Sequence, residues 1–250
     1  MVVSLPKSSS MLCASWQRLL HTDINDTSLN IELEGNKIPC VSTTKLLGVH
    51  FDQHLSWNEH IKHVHKKIRS NLYLLKQIKK YLPIDARKLF FNSYVLPHFD
   101  YCCTVWGNCS KTALSKLVKL QKRAARLILN KDYNTRSLEL FAELGWMPLE
   151  DRITFKRAAQ VYQCLNSTNT QGLDKLFEYN KNIHRHNTRS ASVNNLHIAK
   201  NHTKSFSHLG ATIWNNIPAP IRNAKNVTHF KTMYLRQYFS DQTDETIVCT

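Results

Sequence analysis

No two of the seven cysteines form a C-x-x-C pair, no apolar run is long enough to span a membrane, and no internal repeat is present. The thiols Cys13, Cys40, Cys102, Cys103, Cys109, Cys164 and Cys249 are odd in number and scattered. That pattern excludes a disulfide framework and reads as a reduced, intracellular chain. Near the N-terminus Pro6 and Lys7 break the short apolar run, so no secretory signal is read and the five N-x-S/T sequons are expected to stay idle. The expected compartment is the nucleus or the cytoplasm. Acidic residues are the remaining shortage: 18 Asp and Glu face 34 Lys and Arg, a net charge of +16 with a pI near 9.6. Such an excess repels itself and points to a polyanionic partner, nucleic acid first and an acidic membrane surface second. Apolar residues make up 42% of the chain and charged residues 21%, which is ordinary globular composition and excludes wholesale disorder.

What is present is organised around residues 45–81. Leu47, Val49 and Phe51 alternate with Gly48, His50 and Asp52, which predicts one half-buried strand over 45–52. Ser56 and Glu59 have the S-x-x-E spacing of a capping box. Trp57, Ile61, Val64, Ile68, Leu72, Leu75 and Leu82 then recur every three or four residues and predict a long helix with one apolar face. Lys62, Lys66, Lys67, Arg69, Lys76, Lys79 and Lys80 sit between them, so this helix is basic as well as amphipathic.

Upstream, the alternation at Leu29, Ile31 and Leu33, a turn at 34–37 and a return at 38–41 predict further short strands. Together with 45–52 they make a sheet too small to stand alone, read as the trailing edge of a larger domain. Past Pro83, residues 85–96 predict a second helix with Ala86, Leu89, Phe90 and Ser93 inward and Pro97 as its stop. The next stretch, to about residue 110, reads as irregular and aromatic-rich. Residues 111–129 predict a third helix, with Leu114, Leu117, Val118, Ala124, Ala125 and Ile128 on one side. Lys116, Lys119, Lys122, Arg123 and Arg126 lie largely on the other. A short helix over 137–144 ends at Gly145, and another runs over 149–165. Residues 179–204 read as a polar linker, followed by short helices over 205–214 and 228–239. The predicted fold class is α+β, predominantly α-helical.

The strings K-x-L-G-V-x-F-D at 45–52, L-S-W-N-x-H-I at 55–61 and L-P-H-F-D-Y-C-x-x-V-W-G at 96–107 carry a resemblance. With L-Q-K-R-A-A-R-L-I-L at 120–129 and G-A-x-x-W-N-x-I-P at 210–218, the chain resembles the reverse transcriptase of non-LTR, LINE-type retrotransposons of the jockey-like group. The likeness spans nearly the whole chain and corresponds to the part of that enzyme beyond its catalytic centre. It implies the trailing part of the palm, a palm-edge β-sheet, over 1–55 and thumb-like helices over 56–110. A basic helical connector over 111–178, the polar linker over 179–204 and a C-terminal extension of short helices over 205–250 would follow. The K-x-L-G strand would lie near the primer terminus, which makes Lys45, Leu47 and Gly48 primer-end candidates. L-P-K-S-S-S-M-L at 5–12 resembles the preceding palm motif with Lys7 as its lysine, although Ser4 stands where the family has asparagine.

Polymerases of this family hold two divalent metals on aspartates of two palm motifs, one of them an aromatic-x-D-D turn. None of the ten aspartates here adjoins another. Asp52 and Asp100 are read as helix-cap or surface residues. No cofactor is therefore expected in this chain, Mg²⁺ being expected only of an intact parent polymerase, and the chain alone is expected to be inactive. It is read as a truncated copy, a partial gene model or a domesticated remnant. His54, His60, His63 and His65 lack the H-E-x-x-H arrangement, and His98, Cys102, Cys103 and Cys109 lack zinc spacing, so no metal site is assigned. Trp57, Trp106, Trp146 and Trp214 read as core anchors rather than stacking platforms.

Phosphate contacts are assigned to Lys62, Lys66, Arg69 and Lys76 on the long helix and to Lys116, Lys119, Arg123 and Arg126 on the third. The latter follow one another at spacings of three, four and three, which puts them on one stripe. The expected partners are RNA and DNA, as primer–template duplex met mostly through phosphate, and the missing palm domain; no membrane is expected. The alternatives are a domesticated helical scaffold that binds a protein through its uncovered apolar faces, or a non-functional remnant.

Overall fold

A computed structural model describes residues 8–15, 17, 31–33, 35–166, 172–183, 194–198 and 203–248, with backbone alone for 242–248. The chain divides into two units: Met1–Cys102 with Cys109–Trp146, and Cys103–Asn108 with Met147–Thr250. The expected fold class, predominantly helical α+β, is the one observed.

In the first unit β1 (Glu32–Leu33) pairs antiparallel with β2 (Asn36–Lys37), and β3 (Thr43–Leu46) with β4 (Val49–Asp52). The single strand expected over 45–52 is therefore a hairpin, with Leu46 opposite Val49 and a turn at Leu47 and Gly48. Both turn residues have positive φ, 47° and 84°, as a two-residue type I′ turn requires. The alternation misleads because an apolar residue occupies the turn: Leu47 is 82% exposed. Leu29 lies outside the described residues.

Helix α1 (Asn58–Ile78) carries the expected stripe, with Ile61, Val64, Ile68, Leu72 and Leu75 buried. Its entry differs from a capping box. Trp57 occupies the N-cap at φ 65°, and its side chain caps nothing. The cap is Asp52, whose carboxylate accepts from the amides of His54, Ser56 and Trp57 and from the Ser56 hydroxyl. Glu59 instead meets Lys62 at 2.6 Å. The Ser56 hydroxyl accepts from the Asn58 amide at 3.4 Å, a longer contact than those of the Asp52 carboxylate, and a charged acceptor bonds about twice as strongly as a neutral one.

Beyond a 3₁₀ turn (Lys79–Tyr81), α2 (Ile84–Phe90) passes through a π turn (Phe91–Val95) into α3 (Leu96–Asp100). Pro97 does not stop the helix expected here. It falls in the first turn of α3, where its missing N–H is not needed. Phe91, Val95 and Phe99 are buried while Leu89 and Ser93, expected inward, are exposed, and the wider π turn carries the inward face from α2 into α3. After Cys102, at φ 50°, α4 (Cys103–Trp106) enters the second unit, so the stretch expected to be irregular is largely helical.

Back in the first unit, α5 (Lys111–Leu129) has the bounds expected of it. Ser110 accepts from the Ala113 amide at 3.2 Å, and Asn130 closes the helix in the left-handed conformation. Helices α1 and α5 run side by side in the same direction. Lys79 Nζ donates to Asn130 Oδ1 at 2.7 Å, and Arg87 donates to the carbonyls of Leu82 and Ile128. These cations meet the negative ends of both helices. Helix α6 (Ser137–Leu144), with Gly145 at φ 64° as its C-cap, packs on Ala125 and Leu129.

The second unit is built on α7 (Leu149–Asn166). A Cβ at Gly107 would come within 2.4 Å of the Cys103 carbonyl and 2.6 Å of Ile153, so only glycine lets the end of α4 lie this close to α7. A 3₁₀ turn (Asp174–Leu176) and α8 (Asn180–Ile183) precede α9 (Phe206–Asn216), α10 (Ala219–Arg222) and α11 (Val227–Val248). Part of the stretch expected as a polar linker is held in place. Leu196 is fully buried, Tyr179 bridges to it, and the Asn215 amide bonds both its N–H and its C=O. Among the described residues no helix is long and apolar enough to cross a membrane.

The Asp52 cap makes a direct prediction. Asp52→Ala strands several amides at once and is expected to cost about 2–3 kcal/mol, against about 0.5 kcal/mol for Ser56→Ala. Urea unfolding of the two variants checks this, and equal losses would refute the assignment.

Candidate nucleic-acid interface

The stripe on α1 is exposed at Lys62, Lys66, Arg69 and Lys76, with Tyr73 exposed between the last two. On α5 the exposed cations are Lys111 at its start and, along the stripe, Lys116, Lys119 and Arg123. Because the helices start side by side, their positive ends meet at an open cleft of about 400 Å³ lined by Asn58, Ile61, Lys62, His65, Ala113 and Lys116. Both stripes act on His65 there. Its pKa is held below the usual value by burial first and then by Arg69 and Lys116.

Two of the expected phosphate ligands have other work. Lys62 is ion-paired with Glu59. Arg126 is half-buried, donates to the Thr135 carbonyl at 3.0 Å and lies 5.3 Å from the Tyr133 ring centre, so it fixes the turn after α5. Lys66, Arg69, Lys76, Lys116, Lys119 and Arg123 have no ion-pair partner among the described residues.

The primer-end candidates share the β3–β4 hairpin. Lys45 is exposed and faces His50 in register. The Leu47 carbonyl accepts from the Tyr101 hydroxyl, and Gly48 lies over the Tyr101 ring, where an added Cβ would sit 3.5 Å from Cε1. Behind the hairpin lies a histidine cluster that the sequence reading missed. The His50 ring is 4.6 Å from His63 and 6.3 Å from His60, and the His50 amide donates to His60 Nδ1. Burial, then His50, Lys67, Lys45 and His98, hold His63 below its usual pKa; burial and Lys67 do the same for His98. The cross-strand pairing of Lys45 with His50 was invisible once the hairpin was read as one strand. Lys7 lies outside the described residues. Among the described residues no group of three or more His, Cys, Asp or Glu is placed to hold a metal ion. Trp57, Trp106 and Trp214 are buried, and Trp146 stacks on Phe91 at 4.0 Å, so these rings serve the cores.

His60 gives the cluster a measurable signature. Its pKa is lowered to about 4, by burial first and then by His50 and His63. The fold therefore favours neutral His60: this contribution is complete above pH 6.5 and is lost as pH falls towards 4. A loss on the order of 2–3 kcal/mol is expected over that window. His60→Gln should flatten the dependence of unfolding free energy on pH between 6.5 and 4, and an unchanged curve would count against it.

Over 198 residues, 73% of this chain, it is 21% identical to a probable RNA-directed DNA polymerase from transposon X-element of Drosophila melanogaster. Over 127 residues, 50% of this chain, it is 27% identical to a probable RNA-directed DNA polymerase from transposon BS of the same organism. The matches cover 20% and 14% of those proteins' lengths. No family model matches the chain, and no solved structure matches it. The two likenesses support an origin shared with transposon-encoded RNA-directed DNA polymerases.

Proposed function

We propose that this chain grips nucleic acid, as primer–template duplex or single-stranded RNA, in the manner of the region that follows the catalytic palm of a non-LTR retrotransposon reverse transcriptase. The observation that carries this reading is the pair of parallel helices α1 and α5, with Lys66, Arg69, Lys76, Lys116, Lys119 and Arg123 exposed and without acidic partners among the described residues. Their positive ends open on one cleft. Phosphate contacts of this kind fix position on a strand without reading its sequence. Lys45 and the Leu47–Gly48 turn would approach the primer end.

Replacing Lys116, Lys119 and Arg123 together by glutamine is expected to flatten the slope of log affinity against log salt by up to about 2.7 on duplex, and to weaken unrelated sequences alike. Arg126→Gln alone should lower thermal stability and leave that slope in place. An unchanged slope in the triple variant, with helix content intact by circular dichroism, would remove α5 from the interface.

Nucleotidyl transfer is not assigned to this chain. It needs paired carboxylates to hold two metals, whereas none of the aspartates adjoins another and the Asp52 oxygens are committed to the start of α1. No primer extension is expected in Mg²⁺ or Mn²⁺. Template-dependent incorporation by a preparation free of contaminating polymerase would overturn this.

A further inference from the structure

The second unit buries a cation that has no counter-charge among the described residues. Arg157 lies on the apolar face of α7, four residues from Ile153 and from Val161, and is 6% exposed. Neither its Nε nor its Nη2 has a hydrogen-bond partner. Burial holds its pKa below the ordinary arginine value, and the titratable group that opposes this shift is the Cys103 thiol. The ion pairs among the described residues, Lys62–Glu59 and Lys131–Glu143, both lie in the first unit. Residues 167–171, 184–193 and 199–202, internal stretches of the second unit outside the described residues, contain no Asp or Glu. They offer Arg157 no carboxylate.

Arg157 also borders an open pocket of about 440 Å³. Val105, Leu176, Phe206 and Leu209 supply apolar walls, and Asn108 and Lys204 supply polar groups. Asn108 is fixed by a bond from its Nδ2 to the Lys204 carbonyl at 2.8 Å, while its Oδ1 is buried without a partner. An apolar cleft of this size with a few fixed polar groups is the usual form of a small-molecule site. A buried, unpaired charge is strongly unfavourable, and a bound anion removes that penalty. The planar guanidinium matches a carboxylate in two-point geometry.

We infer that this pocket binds a carboxylate carried on an apolar body, such as a medium-chain or aryl carboxylic acid. The carboxylate pairs with Arg157 and the body lies against Phe206 and Leu209. A single buried cation matches a monoanion. The apolar walls disfavour a strand of nucleic acid, whose polar sugar would be buried against them. This ligand is independent of the phosphate contacts assigned to the first unit.

The test uses the full chain, with octanoate as probe and 1-octanol as its neutral match, in calorimetric titrations and thermal melts. Octanoate is expected to bind and to raise Tm with concentration, and octanol to bind at least tenfold more weakly. Arg157→Met exchanges the cation for an apolar side chain of similar length. It should raise Tm without ligand and reduce octanoate affinity at least tenfold. Val105→Trp, at a position 42% exposed and therefore tolerant of bulk, should block the probe with Arg157 in place. Absence of octanoate binding, equal binding of octanoate and octanol, or undiminished octanoate affinity in Arg157→Met would each overturn the inference. Displacement of octanoate by a single-stranded oligonucleotide would assign the pocket to nucleic acid and overturn it too. The α5 triple variant should bind octanoate as the parent does, so failure of the phosphate reading leaves this result readable.

Discussion

Asp52 closes β4 with its carboxylate nearly buried and turned towards the next element, and the course of the first unit follows from what that carboxylate holds. Trp57 sits in the left-handed region, a conformation that costs a bulky residue about 1–2 kcal/mol. Two contacts offset this strain: the Asp52 bond to the Trp57 amide at 2.9 Å, and the Trp57 ring set edge-on to Phe51 at 5.2 Å. With Trp57 fixed, the helical phase of α1 is fixed. Ile61, Val64, Ile68, Leu72 and Leu75 turn inward, and Lys66, Arg69 and Lys76 turn outward. A carboxylate at the end of a hairpin thus decides where the charges of a 21-residue helix point.

Parallel neighbouring helices bring like ends together, which is electrostatically unfavourable unless each pair of ends is compensated. The first unit compensates one pair. Arg87 and Lys79 meet the carbonyl ends of α1 and α5 through Leu82, Ile128 and Asn130. The positive ends receive further cations instead, Lys62 and Lys116, with Glu59 the acidic residue in the first turn of α1. Positive charge is left standing there, and His65 registers it through its lowered pKa. Arg157 repeats the pattern inside the second unit, where a buried cation has no anion beside it among the described residues. In both places the fold bears a cost that an anionic ligand would relieve.

The long apolar stripes were legible because helical period and burial agree over many turns. The eight-residue alternation at 45–52 was not, because period two continues through a two-residue turn when the turn residue is itself apolar, as Leu47 is. The helix through 84–100 defeated the 3.6-residue period for another reason. A π turn advances the face by one residue, so a count begun in α2 does not carry into α3. Ser56 had the right spacing for a cap and lost to Asp52, whose reach depends on the left-handed turn at Trp57 that no local pattern announces. Arg157 did leave a trace in the sequence: a lone cation four residues from Ile153 and from Val161 on an apolar stripe. The contact of His50 with His63 left no trace, since it joins a strand to a helix.

The parallel course of α1 and α5 also explains the segment between them. A helix of 21 residues advances about 31 Å, and a parallel neighbour can begin only after the chain has travelled back over that length. Helices α2 and α3, joined through the π turn, make the return without a loop, which is why Pro97 has to fall in a first turn rather than at a stop. The string L-P-H-F-D-Y-C-x-x-V-W-G at the end of that return then divides its aromatic residues. Phe99 is buried in the first unit and Trp106 in the second, with Cys102 in the left-handed conformation between them. Tyr101, last of the aromatic residues on the near side of that break, bonds the Leu47 carbonyl and so reaches the hairpin that positions Lys45. What reads in the sequence as one motif is therefore two anchors, one for each core, and the tyrosine beside the first of them ties the return path to the proposed primer-end residues.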